Sequence, residues 1–277
     1  MRLLVIDGHN LLFQMFFGMP NPIPGRGGRN IAGIIGFVGA VLKLISMTEA
    51  THAAVIFDGE GHNPRCELLP EYKANRPDYS SVPDRENPFS ALPDIYRALD
   101  LIGVCHAEIT EGEADDVIAS YAIRCTEAST VISSYDSDYF QLISDRVSVL
   151  RYRGQSSVIC DGDYLYKKLG ITPSLYASYK CLVGDTADNV AGVRGIGPKT
   201  AAALVNTYGS LEDILADTSL IENARYRLAI EAEREHLMNN LKLIRLDGSA
   251  ELPFSPDEML LPEQKYKTMQ IISMLEI

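Results

Sequence analysis

Leu3-Leu4-Val5-Ile6-Asp7, Ala54-Val55-Ile56-Phe57-Asp58 and Val131-Ile132-Ser133-Ser134-Tyr135-Asp136 repeat one pattern, a short β-type run that ends at an aspartate. Helical patterns separate the runs: one begins at Ile31, one spans Ala91 to Ile102 and one spans Glu113 to Cys125. Two further β-type runs follow at Val147 to Leu150 and Ser157 to Cys160. Strands alternating with helices are the rhythm of a parallel α/β sheet. Beyond Asp161 the chain reads almost wholly helical. The expected fold is therefore α/β, a central, mainly parallel sheet flanked by helices over residues 1–160, with a helical subdomain over 161–277.

Composition limits the classes that remain. The chain has 277 residues, 46% hydrophobic and 22% charged, enough to bury a sizeable core in one large or two small domains. Its net charge of −12 excludes a basic nucleic-acid coat. Five cysteines, none in a C-x-x-C pair, exclude a disulfide scaffold and a zinc ribbon and fit a reducing cytoplasm. The opening apolar run breaks at Asp7, too soon for a secretion signal. The uncharged stretch Asn30 to Leu42 has 13 residues, against about 20 for a membrane span. Gly33, Gly36 and Gly39 recur in it and would let another backbone approach.

Parallel strands place their carboxyl ends on one edge, where open α/β sheets bind ligands, so Asp7, Asp58, Asp136 and the adjacent Asp138 should converge. Glu113, Asp115 and Asp116 crowd the first turn of one helix; taken singly they read equally well as acids favoured by the helix dipole. Asp185 and Asp188 sit in Gly-Asp-Thr-Ala-Asp-Asn, by themselves only a polar turn. Nine carboxylates cannot share a cleft unless cations neutralise them. All-oxygen ligands without a histidine cluster indicate Mg²⁺ or Mn²⁺ in place of zinc. The five scattered histidines read as ordinary surface or core residues. Of the 37 acids, 28 remain once these nine are set aside, against 25 bases, a difference of −3, so the acidity is mostly local. Paired ions about 3.5–4 Å apart suit phosphodiester cleavage.

Two segments offer basic or backbone donors. Gly192 to Ala201, with Gly195, Gly197, Pro198 and Lys199, precedes an Ala-rich helix whose first N–H groups would hold a phosphate; a plain glycine turn is the simpler alternative. Between Pro64 and Pro88 five prolines and many charges predict a long loop. In it, Tyr72-Lys73-Ala74-Asn75-Arg76 offers two cations and a ring to a nucleic acid, although a solvated loop explains the composition as well. Arg151, Arg153 and Gly154 read as a solvated strand end.

Taken in order, these motifs resemble the flap endonuclease and bacterial 5′-nuclease family, which includes the 5′→3′ exonuclease domain of DNA polymerase I. The resemblance runs to about Leu246 and rests on Val-Ile-Asp7-Gly, Phe57-Asp58, Tyr72-Lys73-Ala-Asn-Arg76 and Gly112-Glu113-Ala-Asp115-Asp116, then Asp136-Ser-Asp138, Gly184-Asp185-Thr-Ala-Asp188-Asn and Gly195-Ile196-Gly197-Pro-Lys199-Thr200. It implies a PIN-like nuclease core, a helix-hairpin-helix-like motif in the helical part, and hydrolysis of DNA from 5′ ends or at 5′ flaps in replication and repair. It implies one metal site built by Asp58, Glu113, Asp115 and Asp116, with Asp7 holding a water of the metal, and a second built by Asp136, Asp138, Asp185 and Asp188. Lys73 and Arg76 would steer the scissile phosphate, and Tyr72 would stack on the terminal nucleotide. Gly195, Ile196, Gly197, Lys199 and Thr200 would grip the duplex, with K⁺ at that loop as in relatives. The implied protein is a cytoplasmic monomer without membrane contact, whose partners are DNA with 5′ ends, flaps or junctions, and RNA primers. Where relatives carry a helical arch, Asp78 to Pro88 is short and sets Asp78, Asp84 and Glu86 against Arg85 alone. Two alternatives stay open, a junction-binding DNA scaffold without turnover and a PIN-type ribonuclease.

Overall fold

Strand β1 (Arg2–Asp7) is apolar on both faces: Leu3 and Val5 enter one core, Leu4 and Ile6 the other, and none is more than 1% exposed. Only a strand covered by layers on both sides can bury such a sequence. The computed structural model describes residues 1–79 and 81–277; Ser80, inside the expected long loop, lies outside the described residues. After β1 come α1 (Gly8–Gly18), α2 (Ala32–Thr48), β2 (His52–His62), α3 (Pro64–Leu68) and α4 (Leu92–Ile102). Then follow β3 (Cys105–Glu111), α5 (Ala114–Arg124), β4 (Ser129–Ser133), β5 (Val147–Arg151) and β6 (Val158–Cys160).

The sheet order is β3-β2-β1-β4-β5-β6, parallel except for β6 against β5. The chain winds outward from β1 to β3 and then returns to pair β4 with β1. That reversal opens a crevice at the carboxyl ends of β1 and β4, where Asp7 ends β1 and Asp136 lies three residues past β4. The mainly parallel sheet agrees with the sequence reading, which omits α1 and β3. Neither has a clear periodic signature: α1 is apolar nearly all round, and β3 carries Glu108 and Glu111 at the sheet edge.

The glycines of α2 seat α1. A Cβ at Gly33 would lie 3.2 Å from the Phe16 Cα, and one at Gly36 would lie 3.3 Å from the Met15 Cβ. Among the described residues no helix is long and apolar enough to cross a membrane.

The second half holds α6 (Gly162–Leu169), α7 (Tyr176–Val183), a two-stranded hairpin of β7 (Gly184–Asp185) and β8 (Val190–Ala191), α8 (Pro198–Tyr208), α9 (Leu211–Ala216), α10 (Ala224–Ala232) and α11 (Arg234–Ile244). Its apolar residues continue the core on the Leu3/Val5 face of the sheet, which places α7 and the hairpin beside the crevice. The last helix, α12 (Thr268–Leu275), crosses back to bury Ile271, Ile272 and Leu275 against α2 and α4. It begins only at Thr268, although the chain beyond Asp161 reads as almost wholly helical. Gln264 lies outside any helix and donates to the Ile102 carbonyl at 3.2 Å. The expected loop over 64–88 begins with one helical turn, α3, because Asn63 caps it and Pro64 occupies its first position.

Candidate metal centre and nucleic-acid interface

Asp7, Asp58, Glu113, Asp115 and Asp136 line one cleft of about 600 Å³. Asp7 also caps α1: one oxygen accepts the Asn10 N–H at 3.0 Å and the other the Ser134 hydroxyl at 2.8 Å. Burial, with Asp58 and Asp136 adding repulsion, pushes its carboxyl up to about 6 despite those donors. Asp58 accepts the Ala114 N–H at 2.8 Å and faces His9 Nδ1 at 3.6 Å. Burial works to raise its carboxyl as well, but His9, that N–H and Lys73 outweigh it and hold the group at about 2. Asp115 accepts the Tyr139 hydroxyl at 2.5 Å, and burial together with the neighbouring acids drives its carboxyl well upward.

Glu113 is enclosed by donors. Lys73 Nζ contacts one oxygen, Arg65 reaches the other at 2.8 Å, and Asn63 and the Tyr72 hydroxyl add bonds at 2.9 and 3.3 Å. Burial would depress the Lys73 ammonium, but Asp115 and Glu113 raise it above its ordinary value. Lys73 sits at φ +57°, a left-handed conformation uncommon for a side-chain-bearing residue, and its N–H donates to the Asp188 carbonyl at 3.2 Å.

The second group joins Asp138, from the chain just after β4, to two acids from the other half of the chain. Ligand oxygens of Asp138, Asp185 and Asp188 lie within 4.8 Å of one another. Asp138 contacts Lys180 Nζ, Asp185 lies 2.6 Å from the same nitrogen, and Asp188 accepts from Arg76 at 3.0 Å. Burial, with Asp136 and Asp185 close by, pushes the Asp138 carboxyl up to about 7 against the pull of Lys180. Asp136 joins the groups, lining the first cleft while its carboxylate accepts the Asp138 N–H at 2.8 Å. An oxygen-only donor set with this much converging negative charge fits hard divalent ions.

Asp116 is placed apart from Glu113 and Asp115. Arg65 grips both its oxygens at 2.6 and 2.8 Å, and the Asp247 N–H adds a third bond at 2.8 Å. Its carboxylate is therefore committed to a tie between α3, α5 and the chain after α11, outside the cleft shared by Glu113 and Asp115. Tyr72 is 6% exposed and its hydroxyl binds Glu113, which turns its ring inward in this structure. The rings that do line the cleft are His9, Phe13, Tyr79 and Phe89, with centroids 5.2–6.4 Å apart in the contacting pairs that include His9 or Phe13 and Phe89. His9, read from sequence as an ordinary histidine, thus lines the same cleft as the acids.

The gateway segment is latched to the β7–β8 hairpin. Besides the Arg76 and Lys73 links, Asn75 donates to the Thr186 carbonyl and Asn189 to the Glu71 carbonyl, each at 3.0 Å. The glycine loop starts from the same place. Val193 N–H donates to the Leu182 carbonyl at 2.9 Å, Ile196 is buried, Gly195 takes φ +88°, and Gly197 caps α8 with Pro198 next. A Cβ on Gly192 would stand 2.3 Å from the Val183 backbone, so only glycine fits that crossing. Lys199 and Thr200 occupy the first turn of α8, apart from the carboxylates and joined to them through α7 and the hairpin. Arg151 does more than end a strand: its guanidinium lies 4.8 Å over the Phe140 ring and donates to the Tyr135 carbonyl at 3.2 Å.

Lys180 and Arg65 are the residues that sequence reasoning missed. A lysine inside the apolar run Tyr176 to Leu182 is a usable signal, because a buried ammonium requires carboxylate partners.

Residues 2–170 match the family model of the 5′-3′ exonuclease N-terminal resolvase-like domain, and residues 171–267 that of the 5′-3′ exonuclease C-terminal SAM fold. The chain is 33% identical over 258 residues to the thermostable DNA polymerase I of Thermus thermophilus, covering 92% of this chain but 30% of the polymerase. It is 29% identical over 284 residues to a 5′-3′ exonuclease of Aquifex aeolicus, covering 99% of this chain and 94% of that one. Among solved structures, the T5 D15 protein co-crystallised with metal ions is 26% identical, with a TM-score of 0.72 over 88% of this chain and 89% of that one. The bacteriophage T5 D15 flap endonuclease in a complex with DNA and metal ions, 24% identical, shares the fold over the full length of both chains with a TM-score of 0.74.

Proposed function

The chain belongs to the 5′-3′ exonuclease family, and we propose that it acts as a metal-dependent 5′ nuclease, with the substrates and division of work among its residues that follow. Its substrates are DNA with 5′ ends, flaps or junctions, and RNA primers ending in such structures. It acts as a monomer in the cytoplasm. Residues 1–160, with the gateway over 64–88, carry the catalytic core, and residues 161–277 carry the duplex grip while lending Asp185 and Asp188 to the cleft.

The observation that carries this reading is the meeting of two carboxylate groups, one on the sheet edge and one on the α7–hairpin unit, with Lys73 and Arg76 between them. Asp58, Glu113 and Asp115, with Asp7, would hold one Mg²⁺ or Mn²⁺, and Asp136, Asp138, Asp185 and Asp188 the other. When bound, such ions supply an activated water and charge on the leaving oxygen. The chain's own residues position the phosphate. Lys73 and Arg76 put positive charge where the phosphoryl oxygens gain negative charge in the transition state. His9, Phe13, Tyr79 and Phe89 form an aromatic wall for an unpaired base. Tyr72 and Arg65 hold Glu113 and the start of α5 in place. The first N–H groups of α8, with Lys199 and Thr200, take a backbone phosphate of the duplex, with K⁺ at the Gly195–Gly197 turn.

The test is cleavage of a 5′-labelled flap duplex by the wild type and by Asp185→Ala, with Mg²⁺, with Mn²⁺ and with chelator. Products ending near the junction support flap incision, and mononucleotides support exonuclease action. Binding without any cutting overturns the reading in favour of a junction scaffold, and equal cutting of single-stranded RNA favours a ribonuclease.

A further inference from the structure

Lys180 is 7% exposed, on a helix whose residues from Tyr176 to Leu182 are all buried. Its ammonium contacts Asp138 and stands 2.6 Å from Asp185, two of the three acids whose oxygens converge. It therefore fills the space between the oxygens that a divalent ion at this group would need. The cations elsewhere in the cleft are placed differently. Arg76 has a side chain 52% exposed, at the rim, and can leave Asp188 for a phosphate without crossing the site. Lys73 binds Glu113 and faces Asp115 at 3.7 Å, in the other group.

Resting on the nuclease reading above, we propose that Lys180 is a resident counter-cation of the second carboxylate group, which holds Asp138 and Asp185 together before metal arrives and competes with the second ion for them. The physical ground is repulsion at contact distance. An ammonium and a divalent ion cannot both sit against the same two oxygens, because like charges about 4 Å apart in a partly buried site repel strongly. Holding the group together follows from the same charges: Asp138, Asp185 and Asp188, drawn within 4.8 Å, would repel without a cation among them. The four-carbon stem of lysine is flexible enough to let the ammonium withdraw without moving α7. Occupancy of the second site is thereby made conditional: it fills weakly in the free protein and more readily once a DNA phosphate adds negative charge.

The experiment titrates Mn²⁺ into the DNA-free protein, with binding read by electron paramagnetic resonance and by calorimetry, for the wild type, Lys180→Met and Lys180→Gln. The weaker class of sites should tighten by about tenfold in both variants, while their melting temperature in chelator falls and recovers with Mn²⁺. Unchanged or weaker Mn²⁺ binding overturns the proposal. Should neither variant fold without metal, the wild type still decides. A slowly exchanging lysine ammonium signal in ¹⁵N NMR, assigned by its loss in Lys180→Arg, should be present in chelator and shift as Mg²⁺ fills the weaker site. A signal indifferent to saturating Mg²⁺ overturns it. No readout uses cleavage, so tightened metal binding in a protein that cuts nothing would sink the nuclease reading alone.

Discussion

The two carboxylate groups are built by opposite means. On the sheet edge, Asp7 and Asp58 each accept a backbone N–H, from Asn10 and Ala114, and such donors cannot move without breaking a helix end. Around α7 and the hairpin, Asp138, Asp185 and Asp188 are drawn together by the side chains of Lys180 and Arg76, and rotation about single bonds is enough to release them. The first group has two acids fixed by helix-end N–H donors, and the second relies more on exchangeable cations. The expected consequence is unequal response to metal, to pH and to mutation.

The largest effect should come from residues that join or complete the groups. Asp136→Ala and Asp185→Ala should each lower the cleavage rate by about 10³-fold or more, measured on a flap substrate under single-turnover conditions. Intact cutting in both would break the assignment of these acids. Arg65 tests the rigid side. Arg65→Met leaves Asp116 without its cation and Glu113 with Lys73 alone, and removing one partner of a buried pair costs about 3 kcal/mol or more, read as a lower urea midpoint. Asp116→Asn should lower the midpoint too while leaving the number of bound Mn²⁺ ions unchanged. A lost ion in Asp116→Asn would return that residue to the metal shell.

Metal and pH sharpen the contrast further. Mg²⁺ at about 100 times its dissociation constant should stabilise the protein by about 2.7 kcal/mol, read by thermal melting. In chelator the signs diverge. Asp7 at about 6 and Asp138 at about 7 lie above the ordinary value of 3.8, so the folded state takes up their protons first. The cost of keeping them ionised is fully present above pH 7 and is relieved as pH falls toward 4. Asp58, at about 2, adds stability above 3.8 that is lost as pH drops through 2. Denaturant midpoints in chelator should therefore rise from pH 8 to 5, and a flat profile would count against the buried carboxylate repulsion. The smallest effect lies farthest from the chemistry. Lys199→Ala should weaken duplex binding and reduce the salt dependence by about one phosphate contact, with single-turnover cleavage of bound substrate unaltered.

The mainly parallel sheet and most of its strands were legible because apolar β-type runs ending in aspartate are written contiguously. Helix α1 escaped because Leu11, Leu12, Phe13, Met15, Phe16 and Phe17 give it no polar face, and β3 because Glu108 and Glu111 interrupt an edge strand. The acids that line the cleft were legible by type and spacing. The pairing of Asp116 was not, since it depends on Arg65, which lies 51 residues earlier and reaches across from α3. The placing of Tyr72 was hidden for a related reason: beside Lys73 it reads as a basic, aromatic loop, whereas the segment from Glu71 to Arg76 is latched onto the hairpin and the ring is buried.

Residue order alone carries the chemistry of this protein: which donors exist, that they are oxygen, and that strands present several of them on one edge. Local periodicity and ligand hardness are properties of neighbouring residues, so they survive in one dimension. The partition of those acids, with Arg65 claiming Asp116 and Lys180 standing between Asp138 and Asp185, belongs to the tertiary structure. Electrostatic pairing depends on distance in space and on the water removed around each charge, and both are decided only when the helical half closes against the sheet.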